Sequence, residues 1–476
     1  MKYQPVTSVW EVTMGCNMRC KHCGSSCTEP LPDELDTRQA MEVCDQCAEV
    51  GLRWITLSGG EPLTRKDTPQ IVKRLTEKGI SVNIITNGWL LNEEKAKELK
   101  ENGIATIAIS IDGTEEIHDS IRRSGSFARD EAAFAKLKEL GITTGAITTI
   151  SKRNIDDLPA LKEKLIQMGV ETWQVQLGLP MGNFRERPDW VLAPEQVDDV
   201  IDFCYATSRE GRIRIYPADC IGYYTEKEME IKQISYGAKE VPIWDGCNAG
   251  LRSFGILQNG DVLGCTSIRS KEYIEGNLMK TPLKELWEAD DKFLWRRALK
   301  KEQLASDCSI CNYGSKCLGG CPNTRLTMNG SIYAENQYCS YNLMLKQWRQ
   351  SFSKETDAKQ LHQMAQGFLK QEQFQKAAIA LTRVLELMPE HAEAYKEKAF
   401  CEYMCGNYQS CKEANEAALS MNKEDAYAMK GLGIAHFKLG NGSEGILHLK
   451  RAAELTNYSD EDILNDLRVV GASMNS

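Results

Sequence analysis

Five glycines frame the first 170 residues. Gly51, Gly79, Gly103, Gly141 and Gly169 each follow an amphipathic stretch and precede a short β-rich run. A helix ending on a left-handed residue favours glycine at that position. The helical stretches at 37–50, 66–78, 93–102, 126–140 and 156–168 alternate with predicted strands at 8–13, 54–58, 81–86, 106–110, 143–150 and 172–176. This alternation predicts a parallel sheet with helices outside it. Six such units make about three quarters of an eight-fold barrel, so the expected fold class is α/β, a partial (β/α)6 barrel of the TIM type. In such folds the chemistry lies at the carboxyl ends of the strands.

The polar motifs fall at those ends. The cysteine loop MGCNMRCKHC, residues 14–23, follows the first strand. The run SGGEP, residues 58–62, follows the second, and Thr86, Asn87 and Gly88 follow the third. Ser110 and Asp112 end the fourth strand; Asn154 lies past the fifth and Gln176 near the end of the sixth. A lone Gly-Gly or Asn-Gly is ordinarily a turn. At consecutive strand ends the set outlines one site.

Eighteen cysteines in 476 residues need an explanation. The chain opens without the basic-then-apolar pattern of a signal peptide, and it has no apolar run long enough to span a membrane. The expected setting is cytoplasmic, without membrane association. The net charge of −9 argues against a nucleic-acid partner. A 42% hydrophobic content excludes disorder, and the length suggests about three domains. A reducing compartment disfavours disulfides and leaves thiolate ligation of metals or clusters. Cys16, Cys20 and Cys23 form C-x3-C-x2-C. Cys247 and Cys265 make a second group, and Cys308, Cys311, Cys317, Cys321 and Cys339 a third. Zinc ribbons use such short gaps too, so zinc remains an alternative for the third group taken alone. Three cysteine ligands on a four-iron cluster leave one iron open to an outside ligand.

The cysteine loop together with Gly-Gly-Glu-Pro resembles the radical S-adenosylmethionine (SAM) superfamily. The resemblance implies that Cys16, Cys20 and Cys23 hold a [4Fe–4S] cluster whose open iron takes the amino and carboxylate groups of S-adenosylmethionine. It implies that Gly59, Gly60 and Glu61 bind the methionine amino group. Ser110 and Asp112 would sit near the ribose, and Asn154 near the methionine or ribose hydroxyls. The glycine pair suits close backbone approach to a ligand.

The series C-x12-G-x4-C, then C-x2-C-x5-C-x3-C-x17-C, matches the seven-cysteine signature of the SPASM extension, whose domain carries two auxiliary [4Fe–4S] clusters. The resemblance gives Cys247, Cys265 and Cys321 to the nearer cluster, and Cys308, Cys311, Cys317 and Cys339 to the farther. Three [4Fe–4S] clusters are thus expected. The nearer lacks a fourth ligand among the seven; Cys220 is the closest upstream candidate, and its alternative is a buried inert thiol. Residues 253–262, with Asn259-Gly260 between apolar runs, read as a hairpin. Cys44 and Cys47 form a CxxC inside a predicted helix and read as packing. Cys401 and Cys405 share a helix face and read as core.

From about residue 357 a 34-residue period appears. Leu361, Tyr395 and Met429 are equivalent, as are Ala365, Ala399 and Gly433, and Ala377, Cys411 and Gly445. This resembles the tetratricopeptide repeat (TPR), with residues 459–470 as a capping helix. The expected domains are a radical SAM partial barrel at 1–215, an α+β SPASM domain at 216–345, and a linker helix with an all-α TPR domain at 346–476.

The resemblance implies reductive cleavage of S-adenosylmethionine to a 5′-deoxyadenosyl radical that abstracts hydrogen from a substrate. The reading preferred here is a ribosomally made peptide or protein side chain, cross-linked or otherwise modified, and held by the TPR region or by a separate partner. The alternative is a small molecule, an aminocyclitol or a tetrapyrrole. A reductase, flavodoxin or ferredoxin would supply electrons. Sulfatase maturation is disfavoured, because Thr266 stands where those enzymes place an Asp. A non-enzymatic scaffold is disfavoured by the intact Gly59-Gly60-Glu61-Pro62. No catalytic acid or base is assigned. His118 and Asp119 are candidates for substrate chemistry, with loop and helix-cap contacts as the alternative; Arg122 or Arg123 is a candidate to hold a carboxylate, and Tyr216, Asp219, Tyr223 and Tyr224 are candidates to line the substrate space. The chain opens almost directly on the first strand, so no N-terminal peptide-recognition module is expected.

Overall fold

Seven parallel strands lie side by side in chain order in the computed structural model, which describes residues 2–218, 221–237 and 246–474. They are β1 (Thr7–Thr13), β2 (Trp54–Gly59), β3 (Ser81–Thr86), β4 (Thr106–Ser110), β5 (Thr143–Ile150), β6 (Thr172–Leu177) and β7 (Arg214–Pro217). Three more extend the sheet beyond β1: β8 (Ser253–Ile256), β9 (Asp261–Leu263) and β10 (Ile274–Asn277). The full order is β10-β9-β8-β1-β2-β3-β4-β5-β6-β7. Helices connect the first seven strands, as parallel neighbours require. Gly51, Gly79, Gly103, Gly141 and Gly169 all have positive φ, between 64° and 86°.

β3, β4 and β6 alternate in burial, whereas β1 and β5 are buried over most of their length. Trp10, Ile55, Leu57, Val82, Ile84, Ile107, Ile109 and Trp173 are wholly buried. Each such side chain contributes roughly 1.5–3 kcal/mol by leaving water. The residues between them, including Thr56, Asn83, Ser110, Thr149, Gln174 and Gln176, are half-buried and mostly polar. In register, Ser110 faces Ile147, which faces Gln174, which faces Tyr216. A parallel sheet closed off on both faces reads as continuous apolar runs; here one face keeps a polar row.

Two features differ from the sequence reading. β7 is a seventh parallel strand across the expected border at 215; its four residues are too few to show a period. The hairpin at 253–262 forms, turning through Gly260 at φ +84°, but β8 also pairs in parallel with β1. That pairing is long-range and leaves no local signal.

The chain divides into two units, Met1–Ala305 with Lys316–Tyr341, and Ser306–Ser315 with Asn342–Ser476. The three segments read from sequence do not map one to one onto these. The second unit contains three helix pairs: Ala358–Lys370 with Phe374–Leu387, Ala392–Met404 with Tyr408–Met421, and Ala426–Lys438 with Gly442–Leu455. Their starting points recur every 34 residues, and helix Glu461–Met474 follows. Small residues pack the pairs: a Cβ on Gly433 would meet the Gly445 carbonyl at 2.9 Å. No helix of the described residues is long and apolar enough to cross a membrane.

Candidate functional site

The cysteine loop leaves β1 on a closed stem. Cys16 N donates to Thr28 O at 2.7 Å and Thr28 N to Met14 O at 3.1 Å. Four neighbouring elements then grip it. Asn87, past β3, donates to Asn17 Oδ1 at 2.7 Å and approaches Cys16 Sγ at 3.9 Å. Lys21 N donates to Ile121 O at 2.9 Å. Beyond β6, Asn183 N donates to Cys23 O at 2.9 Å and Asn183 Nδ2 to Cys20 O at 3.1 Å. His22 Nε2 lies 2.8 Å from Asp112 Oδ2, past β4. The strand ends named from sequence therefore meet around the cysteines.

Buried charge underlies Cys20. Asp112 is wholly buried, faces Arg122 Nε at 2.5 Å as well as His22, and accepts from Thr149 N at 2.9 Å. Although burial opposes ionisation, Arg122 and His22 hold the Asp112 carboxyl well below the usual range. Arg122 Nη1 stands 4.0 Å from Cys20 Sγ. His118, also buried, accepts from Asp112 N at 3.2 Å and faces Asp130 at 3.2 Å.

Among the described residues no group of three or more His, Cys, Asp or Glu side chains stands close enough to grip a single metal ion. The loop offers three thiols with N–H donors directed at sulfur: Met18 N to Cys16 at 3.5 Å, Asn87 and Arg122. Soft thiolates with such outer donors are the donor set that a [4Fe–4S] cluster uses. Cys16, Cys20 and Cys23 fit that group.

The residues carried over for S-adenosylmethionine divide in two. Gly59, Gly60 and Ser110 are half-exposed at strand ends. A Cβ on Gly59 would lie 2.3 Å from Thr13 O, and one on Gly60 2.2 Å from Gly15 O, so glycine is required by the stem of the cysteine loop itself. Gly60 N and Glu61 N are already donated to Thr13 O and Gly15 O. What the turn can offer an ammonium is carbonyl oxygen. Glu61, Asp112 and Asn154 are buried and engaged internally. Glu61 accepts from Leu63 N, Thr86 Oγ1 and Asn87 N at 2.7–3.0 Å. Asn154 accepts from Ser151 and donates to Asp112 O and Thr149 O. These three side chains tie strand ends together.

Other candidates find ordinary duties. Asp119 accepts from Gly125 N and Phe127 N, bonding the start of helix Ser126–Glu139. Arg122 is spent on Asp112 and is not set to hold a substrate carboxylate. Arg123 and Arg129 lie over the Trp89 ring at 3.8 and 3.9 Å. Tyr223 accepts from Cys321 N at 3.0 Å, and Tyr216 packs on Tyr236. Asp219 and Cys220 lie outside the described residues.

Three residues escaped the sequence reading. Glu11, on β1, is 5% exposed and paired with Arg269, which also donates to Ser25 Oγ at 2.5 Å. Burial pushes the Glu11 carboxyl up to about 7 against the opposing charge of Arg269. Cys27 is buried and hydrogen-bonds Cys23, which lowers the Cys23 thiol. Long-range pairs such as Glu11–Arg269 leave no spacing signal. Beside them opens a cavity of about 560 Å³ lined by Gly24, Met181, Arg185, Ser267, Arg269 and Asn323.

Within the first unit, Cys265 is pushed up by burial and by the neighbouring Cys321. Cys247 Sγ accepts from Ala249 N at 3.5 Å. Cys308 and Cys311, in the second unit, are buried. Cys44, Cys47, Cys401 and Cys411 are buried in helices, as the packing reading expects.

Comparison with known proteins follows this geometry. The radical SAM superfamily matches residues 10–165, and the iron–sulfur cluster-binding domain termed SPASM matches residues 247–312. The AdoMet-dependent heme synthase of Methanosarcina barkeri is 30% identical over 352 residues, 72% of this chain and 98% of its own. The mycofactocin maturase MftC of Mycobacterium ulcerans is 27% identical, over 67% of this chain and 83% of its own. Among solved structures, Streptococcus suis SuiB bound to S-adenosylmethionine has a TM-score of 0.58 at 18% identity, covering 71% of this chain and 77% of that one.

Proposed function

From the premise that this chain belongs to the radical SAM superfamily, as an enzyme with a SPASM domain, we propose that it abstracts hydrogen from a side chain of a ribosomally made peptide or protein and so forms a cross-link or other modification. The observation that carries hydrogen abstraction is the convergence of Asn87, Asp112 and Asn183 on the loop of Cys16, Cys20 and Cys23. The bound cluster and S-adenosylmethionine would supply one-electron cleavage to a 5′-deoxyadenosyl radical. The chain's part is to fix three thiolates, present the carbonyls around Gly59 and Gly60, and orient substrate along the polar strand face. Ser110 is the half-exposed side chain nearest that role at the end of β4. Cys247, Cys265 and Cys321, and Cys308, Cys311, Cys317 and Cys339, are read from their spacing as ligands of two auxiliary clusters. The segments 1–215, 216–345 and 346–476 are read as the corresponding domains, the last of them as TPR repeats.

Two observations support the peptide reading. One is the similarity to a mycofactocin maturase over most of its length. The other is an open-sided cavity beside Gly24 with both apolar and polar walls, which suits an extended chain. A second reading, a carboxylate-bearing tetrapyrrole, is favoured by the similarity to heme synthases and by Arg185 and Arg269 at the same cavity. Anaerobic incubation with S-adenosylmethionine and dithionite separates them. One arm offers short peptides encoded beside the gene, the other an iron tetrapyrrole with propionate side chains. Turnover-dependent mass change in the peptide alone supports the first reading, and in the tetrapyrrole alone the second. No 5′-deoxyadenosine in either arm overturns both.

A further inference from the structure

The loop carrying Cys308 and Cys311 groups with the helical unit, not with the sheet. Buried amides hold it there. Gln375, in the first turn of helix Phe374–Leu387, accepts from Asn312 N at 2.9 Å and donates to Ile310 O at 3.3 Å. Asn407, just before helix Tyr408–Met421, donates to the same Ile310 carbonyl at 2.7 Å. Two residues come from helix Ser340–Ser353: Asn342 donates to Cys308 Sγ at 3.6 Å, and Arg349 pairs with Asp307 at 2.7 Å. Gln375, Asn407 and Asn342 are 5%, 9% and 2% exposed, so these are interior contacts.

The repeat supplies its own control. Positions 375, 409 and 443 are equivalent at the 34-residue period, as are 373, 407 and 441. Gln409 is exposed and bonds Glu413 on its own helix; Ser443 and Asn441 are exposed; Gln373 is half-buried and bonds Gln371. The repeat fold alone therefore does not bury a polar side chain at either position. Burying an amide unpartnered costs about 1–3 kcal/mol; the cysteine loop's backbone partners both side chains, and Asn407 donates as well to Glu402 Oε2 at 2.8 Å.

We infer that Gln375 and Asn407 are positioning residues for the Cys308–Cys311 limb of an iron–sulfur cluster, and that Asn342 donates a hydrogen bond to its Cys308 thiolate. The inference rests on the reading that Cys308 and Cys311 are cluster ligands. It gives the helices of the second unit a part in holding the two thiols that lie in that same unit. Partners that orient a metal ligand typically change metal affinity 10–100-fold, and hydrogen bonds to sulfur shift cluster potentials.

The test uses full-length protein reconstituted anaerobically. Iron per chain, the EPR spectrum of the reduced protein, its midpoint potentials and its helical circular dichroism are compared. Q375A/N407A is expected to bind the auxiliary iron roughly 10–100-fold more weakly. One auxiliary EPR signal fades at limiting iron, while helix content and the signal that depends on Cys16, Cys20 and Cys23 persist. N342L is expected to keep the iron and lower one auxiliary potential, which gives a second arm should the double variant not assemble. C308A/C311A is the reference. If it keeps all its iron, the ligand reading falls and the inference with it. If it loses iron while Q375A/N407A and N342L match the wild type in iron, spectrum and potential, the inference alone is overturned.

Discussion

The loop of Cys16, Cys20 and Cys23 and the loop of Cys308 and Cys311 are held by different chemistry. The first rests on buried charge: Asp112 faces both His22 and Arg122, and Arg122 reaches toward Cys20. Neutral amides from Gln375 and Asn407 hold the backbone of the second, and the ion pair beside it, Arg349 with Asp307, is more exposed than the Asp112 pairs. Neutral amides orient a loop and leave its electrostatics nearly unchanged. Buried charges orient it and also set the potential felt by the thiolates. The first loop should therefore respond to charge changes and to pH, and the second to the loss of hydrogen-bonding shape.

The largest effect tests the roles of the two loops. If Cys16, Cys20 and Cys23 hold the cluster as proposed, Cys20→Ala is expected to abolish 5′-deoxyadenosine formation, a loss of at least about a thousandfold by chromatography. C308A/C311A, by contrast, is expected to keep uncoupled cleavage of S-adenosylmethionine and to lose coupled substrate turnover. Equal loss of cleavage in both would erase the distinction.

Next in size is the charge network. Removing one partner from a buried ion pair typically costs about 3–5 kcal/mol, because the other charge is left uncompensated. Arg122→Leu should show that loss in thermal or denaturant unfolding. Arg122→Leu with Asp112→Asn should recover part of it, since the orphaned carboxylate is gone. A fully additive double variant would show that the pair does not act as a unit.

The same contrast explains what was legible beforehand. The strand–helix order and the five left-handed glycines were readable because each is a local pattern with its own period. The cysteine groups stand out in the sequence because short, regular gaps are themselves a local pattern. Whether Glu61, Asp112 and Asn154 face a ligand or one another was not readable. A strand end that binds a ligand and one that ties down its neighbour both call for a short polar side chain. The burial of Glu61 under three donors and of Asn154 under Asp112 O is visible only in three dimensions. Likewise β8 joins β1 across more than two hundred residues, and Gln375 looks like any surface glutamine of a helical repeat until the 310–312 backbone is placed against it.

A smaller effect, in pH, sharpens the comparison. Glu11 lies beside the first loop and titrates at about 7 in the folded protein against an ordinary 4.5. Between those values the folded chain holds a proton that the unfolded chain has released. Stability therefore falls as pH rises through that window, by at most about 3 kcal/mol. Glu11→Gln should flatten that slope in unfolding measured from pH 4.5 to 7.5. Q375A/N407A should leave the slope as in the wild type, since amides do not titrate. An unchanged slope in Glu11→Gln would mean that the Arg269 pairing keeps Glu11 ionised throughout.

The smallest effect asks whether cysteine spacing by itself makes a site. Cys44 and Cys47 have the same C-x2-C spacing as Cys308 and Cys311, but they stand on the inner face of helix Thr37–Glu49, wholly buried. Burial pushes the Cys44 thiol up to about 12, and pushes the Cys47 thiol well up too. The backbone around Cys44 and Cys47 is bonded within its helix, whereas the carbonyl at Ile310 and the N–H at Asn312 are held by side chains from elsewhere in the fold. Cys44→Ala and Cys47→Ala should therefore cost only about 1 kcal/mol each in packing and leave iron per chain unchanged. Iron lost from either variant would place a ligand where the helix leaves no room for one, and would show that the C-x2-C spacing binds iron without a loop held from outside.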